Sequence, residues 1–183
     1  MNITVIGRGN VGGGLAGFWR AAGHDVQELG RDGGDASAAD SVVIAVPGDS
    51  IAEALGRVSG LEGKVAIDTT NAIKGRPGGF ESLAHQVRSL TGGPTAKAFN
   101  TVFARIYDEV GAQRVRPSCL YCGDDDARDI THALIADAGF DPVGLGDLSY
   151  AAALEDFLLN VIFPVAQSGQ GPFFYRFAGA GDL

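Results

Sequence analysis

The sequence has few of the residues that build metal centres and disulfide frameworks. Among 183 residues there are only two cysteines, Cys119 and Cys122, and three histidines, with no cluster that has zinc-ligand spacing. The cysteines lie in an apolar run, SCLYCG, which favours a buried strand, although a redox pair remains an alternative. We therefore expect a reduced, intracellular protein without a metal site.

Positive charge and long apolar runs are also scarce. The chain has 14 Lys and Arg against 22 Asp and Glu, a net charge of −8. Nucleic acids and anionic membranes attract basic surfaces, so we expect neither as a partner. The N-terminus has no basic leader, and the longest apolar stretch, FLLNVIFPVA at 157–166, is too short to cross a bilayer. The sequence thus predicts a cytoplasmic protein with no membrane span.

Short apolar runs alternate with amphipathic segments along the chain, without internal repeats. Strands are predicted at 2–7, 25–29, 41–47, 64–68, 95–99, 117–123 and 141–145, and helices after Gly9 and at 51–58, 80–90, 125–138 and 149–165. This alternation is typical of βαβ units and predicts an α/β fold, a Rossmann-type doubly wound and mainly parallel sheet. We expect a dinucleotide-binding domain at 1–148, followed by a C-terminal helix and tail at 149–183.

A glycine-rich loop directly follows the first strand and opens the first helix. It reads Gly7-Arg8-Gly9-Asn10-Val11-Gly12, which fits the G-x-G-x-x-G pattern. The first glycine permits a tight turn, the second lets a pyrophosphate approach the backbone, and the third lets helix and strand pack closely. In this strand–loop–helix context the pattern predicts that the six residues bind a dinucleotide.

The end of the second strand indicates which dinucleotide binds. NAD-binding folds place an acidic residue there to hold the ribose, but this sequence has Gly30 followed by Arg31. Glu28 lies a full pleat lower, about 6–7 Å away, and should not reach the ribose. Arg31 and Arg8 offer planar guanidinium groups suited to a phosphate, although both could be solvated surface residues. The sequence therefore predicts NADP rather than NAD.

Side chains after the other strands are mostly neutral hydrogen-bonding groups. They include Thr69, Thr70, Asn71, Asn100 and Thr101, and they suit a carboxamide and a ring edge. We find neither a Ser-Tyr-Lys set nor a histidine at a strand end, so the sequence identifies no catalytic residue. Hydride transfer needs alignment more than acid–base catalysis, which agrees with this inventory.

Several stretches together resemble a known family. GRGNVGGGLA, VVIAVP, GKVAIDTTN, KAFNTVFA, CGDDDARD and DAGFDPVGLGDLSYAAALE occur in the order found in NADP-dependent coenzyme F-420 oxidoreductases. The resemblance runs from Met1 to about Phe177, and the chain is also similar to the reductase domain of the STEAP ferric reductases.

The resemblance implies roles for particular residues. Arg31 would bind the 2′-phosphate, and Val46 and Pro47 would line the cofactor path. A C-terminal helix that includes Leu154 and Glu155 would close the cleft and form a homodimer. Near the nicotinamide, where a deazaflavin, a flavin or a similar flat acceptor would stack, the resemblance places Asn71, Ala98, Asn100 and Thr101, the last two as substrate contacts.

The chain departs from this family in two places. Only nine residues separate Arg31 from the strand at Ser41, too few for the usual helix and third strand, so that βα unit is expected to be shortened or missing. The region after the long helix is also short, which leaves the acceptor open. A non-catalytic NADP-binding module is therefore the alternative function, while an imine reductase would need a longer helical region.

Overall fold

The computed structural model describes residues 1–181 and contains a seven-stranded sheet. The strands are β1 Asn2–Ile6, β2 Asp25–Leu29, β3 Gly34–Asp35, β4 Ser41–Ile44, β5 Val58–Ser59, β6 Val65–Asp68, β7 Thr95–Ala98, β8 Ser118–Gly123 and β9 Asp141–Gly144. The strand order of the sheet is β2-β1-β4-β6-β7-β8-β9, and neighbouring strands are parallel except for β7 and β8. A separate pair of two-residue strands, β3 and β5, lies beside the sheet.

Helices cover both faces of this sheet. They are α1 Asn10–Ala21, α2 Ile51–Leu55, α3 Leu83–Thr91, α4 Asp125–Asp137 and a C-terminal helix at 148–170, with a 3₁₀ segment at Ala104–Ala112. The predicted α/β Rossmann-type fold is confirmed. The strand predicted at 41–47 ends at Ile44, before Pro47, which has no N–H for a ladder, and the helix predicted at 51–58 ends at Leu55, before Gly56.

The strands alternate their side chains between two hydrophobic layers. Ile3 and Val5 of β1 pack with Trp19 of α1 and Leu134 of α4, whereas Ile6 packs on the opposite face. That opposite layer is completed by residues of α2 and α3. Because both faces are covered, the central strands β4, β7 and β8 are buried throughout, whereas the edge strands β2 and β9 are not.

The sheet ends at β2, as the spacing after Arg31 predicted. Residues 30–40 contain only β3, so the usual helix and third strand are missing. Arginine side chains bond the outer carbonyls of this edge strand: Arg20 donates to the Val26 oxygen at 2.9 Å, and Arg8 donates to the Glu28 oxygen at 2.7 and 3.2 Å. These guanidinium groups satisfy acceptors that a further strand would otherwise bond.

The apolar side chains of the C-terminal helix do not all lie in the protein interior. Leu154, Leu158 and Ile162 are buried, but Val161 and Val165 are 42% and 39% exposed. The helix widens into π-helical turns around Pro164, whose missing N–H removes a regular helical bond and changes the register of the following turns.

The same helix bears on the prediction that no segment spans a membrane. Within residues 1–181 it is the one helix long and apolar enough to cross a bilayer, by length and composition only. A third of its most apolar 18-residue window is buried inside the protein. The absence of a membrane span stays a prediction.

Candidate dinucleotide cleft

Two adjoining cavities lie at the carboxyl ends of the parallel strands. The edge cavity, about 450 Å³, lies between the ends of β1, β2 and β4, and the central cavity, about 370 Å³, extends towards the end of β6. Both are lined by Gly9, Ala45, Val46 and Pro47, so they form one continuous cleft. Ligands of open α/β sheets bind at this side of the sheet.

The glycine loop has the geometry that its sequence pattern predicts. Gly7 has a φ of +116°, and a Cβ there would lie 2.2 Å from the Ala45 carbonyl oxygen. A Cβ on Gly12 would lie 2.0 Å from the Gly7 oxygen, so helix and loop are in contact. At Gly9 a Cβ would meet no atom of the described residues within 4 Å, which leaves the cleft side of this glycine open.

The start of α1 is suited to an anion. Gly9 caps the helix, and within residues 1–181 no side chain bonds to the cap and no acidic residue occurs in the first turn. The N–H groups of this turn and the positive end of the helix dipole therefore lie next to both cavities. A pyrophosphate would be held there by main-chain donors rather than by side chains.

Three arginines line the edge cavity. Arg8 and Arg31 were predicted from the sequence, whereas Arg57, at the C-terminal end of α2, was missed. Arg57 donates from Nη1 to the Arg31 carbonyl oxygen at 2.8 Å and from Nη2 to Oε1 of Glu53 at 2.7 Å. No spacing rule links residue 57 to residue 31, so only the folded chain brings them together.

Gly30 lies beneath the Arg8 guanidinium. A Cβ at this position would be 3.5 Å from an Arg8 nitrogen, so an acidic side chain here would pair with Arg8. The Glu28 carboxylate instead pairs with Arg20 at 2.7 Å. Val46, Pro47 and Ala54 give the same cavity an apolar wall that suits a flat ring.

Polar side chains line the central cavity, and Asn71 joins it to the protein interior. Its Nδ2 donates to the carbonyl oxygen of Asn100 at 2.9 Å, and Nδ2 of Asn100 donates back to Oδ1 of Asn71 at 3.0 Å. Asn100 also donates to the carbonyl oxygen of Leu154 at 3.1 Å. The lining includes Asn10, Val11, Thr69, Thr70 and Asn71.

The other residues assigned to the nicotinamide region lie deeper. Ala98 is buried in the core, and Asn100 is buried behind Asn71. Thr101 is buried and its hydroxyl lies 2.5 Å from that of Tyr175. Direct contact of Ala98, Asn100 or Thr101 with a ligand stays a prediction.

The backbone before Asn100 is strained. Phe99 has a φ of +61°, the left-handed region that bulky side chains rarely adopt. Its ring packs edge-on against Trp19 and Phe140, with centroids 5.9 and 6.3 Å away. Core packing thus holds a strained turn directly beside the residue that supports Asn71, a placement common at functional sites.

A buried charge network lies under the central cavity. Lys97 Nζ is 2.6 Å from Asp68 Oδ2, 3.1 Å from Glu155 Oε1 and 2.9 Å from the Thr70 carbonyl oxygen. Lys97, Asp68 and Glu155 have fully buried side chains, and Arg76 reaches Glu155 at 2.6 Å. The network ties the loop that lines the cavity to the C-terminal helix.

Only part of this network could be expected from the sequence. Asp68 accepts from the Thr70 N–H at 2.8 Å, the turn contact expected of an aspartate after a strand. Glu155, which the resemblance places on the helix that would form the dimer, is paired inside the chain with Lys97 and Arg76. Lys97 and Arg76 were missed, although a lysine inside the apolar run TAKAF was a visible signal that it needs a buried partner.

Asp49 and Lys74 form an ion pair at the mouth of the central cavity. Their charged atoms are 2.6 Å apart. The hydrogen bond between them lowers the pKa of Asp49 and raises the pKa of Lys74. Both groups are therefore charged at neutral pH, and neither is suited to carry a proton to a substrate there.

The cysteines and histidines lie outside both cavities. Cys119 and Cys122 are free and buried on opposite faces of β8, and burial raises the pKa of each thiol to about 12. The buried-strand alternative is thus correct. His24 contacts Asp137, His85 contacts Ser82 and His132 contacts Tyr121. These contacts agree with structural roles for the three histidines.

Comparison with known proteins shows the fold but not the family. No protein-family model matches the chain, and no curated protein matches it. A protein from Arthrobacter with the provisional name F-420-dependent NADP reductase superposes with a TM-score of 0.79 at 24% identity, over 98% of this chain and 100% of that one. A hypothetical protein from Sinorhizobium meliloti superposes with a TM-score of 0.66 at 29% identity, over 82% and 88%.

A more distant likeness extends to larger reductases. The reductive aminase from Aspergillus terreus, whose structure contains NADPH, superposes with a TM-score of 0.68 at 16% identity. The match covers 92% of this chain but 63% of the aminase. These superpositions place the chain in the Rossmann-like fold that the sheet order and the glycine loop had already indicated.

Proposed function

We propose that the protein is an NADPH-dependent oxidoreductase that transfers a hydride between NADP and a flat conjugated acceptor. The observation that carries this proposal is the edge cavity, where Arg8 and Arg31 surround Gly30 at the position usually taken by a ribose-binding acid. An additional phosphate on the ribose would meet guanidinium groups there instead of a carboxylate.

The residues of the cleft fit the parts of this cofactor. The open side of Gly9 and the first turn of α1 would hold the pyrophosphate, and the Val46–Pro47 wall would pack against the adenine. Asn71 would bind the carboxamide at the other end, held in position by Asn100. When bound, the nicotinamide supplies the hydride, and the chain's own task is to orient the two rings and exclude water.

The acceptor class rests on the resemblance and on the central cavity. A deazaflavin such as coenzyme F-420, or a flavin, can accept a hydride without a protein acid, and the central cavity has neutral polar groups with a fully charged ion pair at its mouth. The provisional name of the Arthrobacter protein supports the same class. The similarity to STEAP reductase domains stays a prediction.

Binding and turnover test the proposal separately. We expect NADPH to raise the Tm and to bind at least about tenfold more tightly than NADH, and NADPH oxidation to depend on added F-420 or riboflavin. Equal binding of both nucleotides, or of neither, would contradict the cofactor assignment. Tight NADPH binding without turnover on any flat acceptor would favour the alternative, a non-catalytic NADP-binding module.

We also propose that the protein is a cytoplasmic homodimer. The C-terminal helix and tail expose large apolar side chains, among them Tyr150, Val161, Val165 and Phe177, which a second copy would cover. Multi-angle light scattering at micromolar concentration should give twice the monomer mass of 18.8 kDa. A monomer at this concentration would contradict the proposal.

A further inference from the structure

Arg57 is a feature of the edge cavity that the glycine loop and the end of β2 do not explain. It lies at the end of α2, yet its guanidinium reaches across to the Arg31 turn and donates to the Arg31 carbonyl oxygen at 2.8 Å. It also lines the same cavity as Arg8 and Arg31. The cavity thus has three guanidinium groups where the sequence pattern predicted two.

The missing βα unit explains why α2 can reach this turn. Residues 30–40 make only the short strand β3, which pairs with β5 directly after Arg57. The β3–β5 pair draws the end of α2 against the β2 edge, and the Gly34 N–H donates to the Arg57 carbonyl oxygen at 3.2 Å. At Gly33 an added Cβ would lie 1.9 Å from that oxygen, so the two segments are in close contact.

The charge balance of the cavity indicates what Arg57 could bind. Glu53 Oε1 accepts from Arg57 at 2.7 Å and is the one carboxylate among the described residues that line the edge cavity. With three guanidinium groups and one carboxylate, the lining has an excess of two positive charges. Arg57 is about half exposed, so its guanidinium can exchange the glutamate for an anion at little cost.

We propose that Arg57 determines cofactor specificity together with Arg31: it fixes the Arg31 turn through the carbonyl oxygen and supplies a third guanidinium to the 2′-phosphate. This inference rests on the proposed function, because it assumes that NADP binds in the edge cavity. In this arrangement α2 replaces part of the phosphate-binding surface that the missing βα unit would otherwise provide. While the phosphate is absent, the Glu53 carboxylate pairs with the Arg57 guanidinium.

The test is a titration of NADPH and NADH against single variants, followed by nucleotide fluorescence rather than by turnover. Arg57→Ala should weaken NADPH binding about tenfold and change NADH binding less than about twofold, since a charge-assisted bond to the extra phosphate is lost. Glu53→Gln should strengthen NADPH binding, because a competing carboxylate is removed. A purely structural Glu53–Arg57 pair would instead give weaker or unchanged binding in Glu53→Gln.

Arg88→Ala is the matched control. Arg88 is also 51% exposed and also pairs with a carboxylate, that of Asp124 at 3.0 Å, but it lies on α3 away from the cleft. It should leave the affinity for both nucleotides unchanged.

The outcomes separate the two proposals. A wild-type protein that prefers NADPH, with an Arg57→Ala variant of unchanged preference, would overturn the role of Arg57 alone. A wild-type protein without preference for NADPH would overturn the proposed function and this inference with it. Equal losses of affinity for NADPH and NADH in Arg57→Ala would mean that Arg57 has only a structural role, and would also overturn the inference.

Discussion

The edge cavity and the central cavity lie on the same sheet but are built from different kinds of contact. The edge cavity is lined by residues that follow β1, β2 and β4 and by residues in and just after α2, and its arginines are exposed. The central cavity rests on a fully buried network in which Lys97 joins Asp68 to Glu155, residues far apart in the chain. The charge of the edge cavity can therefore change at little cost to folding, whereas the buried network under the central cavity cannot be altered without such a cost.

The largest expected effect comes from breaking the buried end. Lys97→Met would leave the Asp68 carboxylate buried without a cation, which should lower the free energy of unfolding by about 3–5 kcal/mol. Urea denaturation followed by circular dichroism measures this loss. Lys74→Met, which removes an exposed ion pair at the mouth of the same cavity, should leave the free energy of unfolding almost unchanged, because solvent screens that pair. Similar losses in both variants would mean that burial does not distinguish the two pairs.

The next effect concerns the charge of the edge cavity. Gly30→Asp would introduce a carboxylate beside Arg8, so NADPH binding should weaken about a hundredfold, because the 2′-phosphate would meet a like charge. The affinity for NADH should not decrease, and it should increase when the new carboxylate reaches the ribose. Isothermal titration with both nucleotides measures the change, and Gly30→Asn is the neutral control of the same size. Equal losses in the Asp and Asn variants would indicate a steric effect rather than an electrostatic one.

A smaller effect is expected where the two cavities meet. In Gly9→Ala the added methyl group meets open space in the protein, so the Tm should change little, but the methyl group would obstruct a pyrophosphate and weaken NADPH and NADH alike by about tenfold. Gly12→Ala is the contrasting variant, because its Cβ would overlap the Gly7 oxygen and should destabilise the fold itself. Full nucleotide affinity in Gly9→Ala would show that the loop does not hold the phosphates.

The smallest effect is expected outside both cavities. The pKa of each thiol is raised to about 12, so at pH 8 only about one in ten thousand of Cys119 and Cys122 is the reactive thiolate. The native protein should therefore resist iodoacetamide at pH 8, with or without NADPH, and should react fully in urea. Rapid labelling of the folded protein would contradict this prediction and would favour the alternative of a redox pair.

The edge half of the cleft was predictable because its determinants are local. Gly7, Gly9 and Gly12 follow a strand at fixed spacing, and the nine residues after Arg31 cannot hold a helix and a strand. Local geometry then permits one conformation of the glycine loop, and the structure shows that conformation. Arg57 escaped prediction because its contact with Arg31 depends on a helix end that is 26 residues away.

The sequence by itself determined the strand and helix order, the glycine loop and the absence of an acid at Gly30, since periodicity, turn chemistry and residue type act within a few residues. Only the tertiary structure decided that Glu155 pairs with both Lys97 and Arg76, and that Ala98 and Thr101 are buried. A buried charge is tolerated only beside its counter-charge, and which residues meet in the interior depends on how β7 and the C-terminal helix pack.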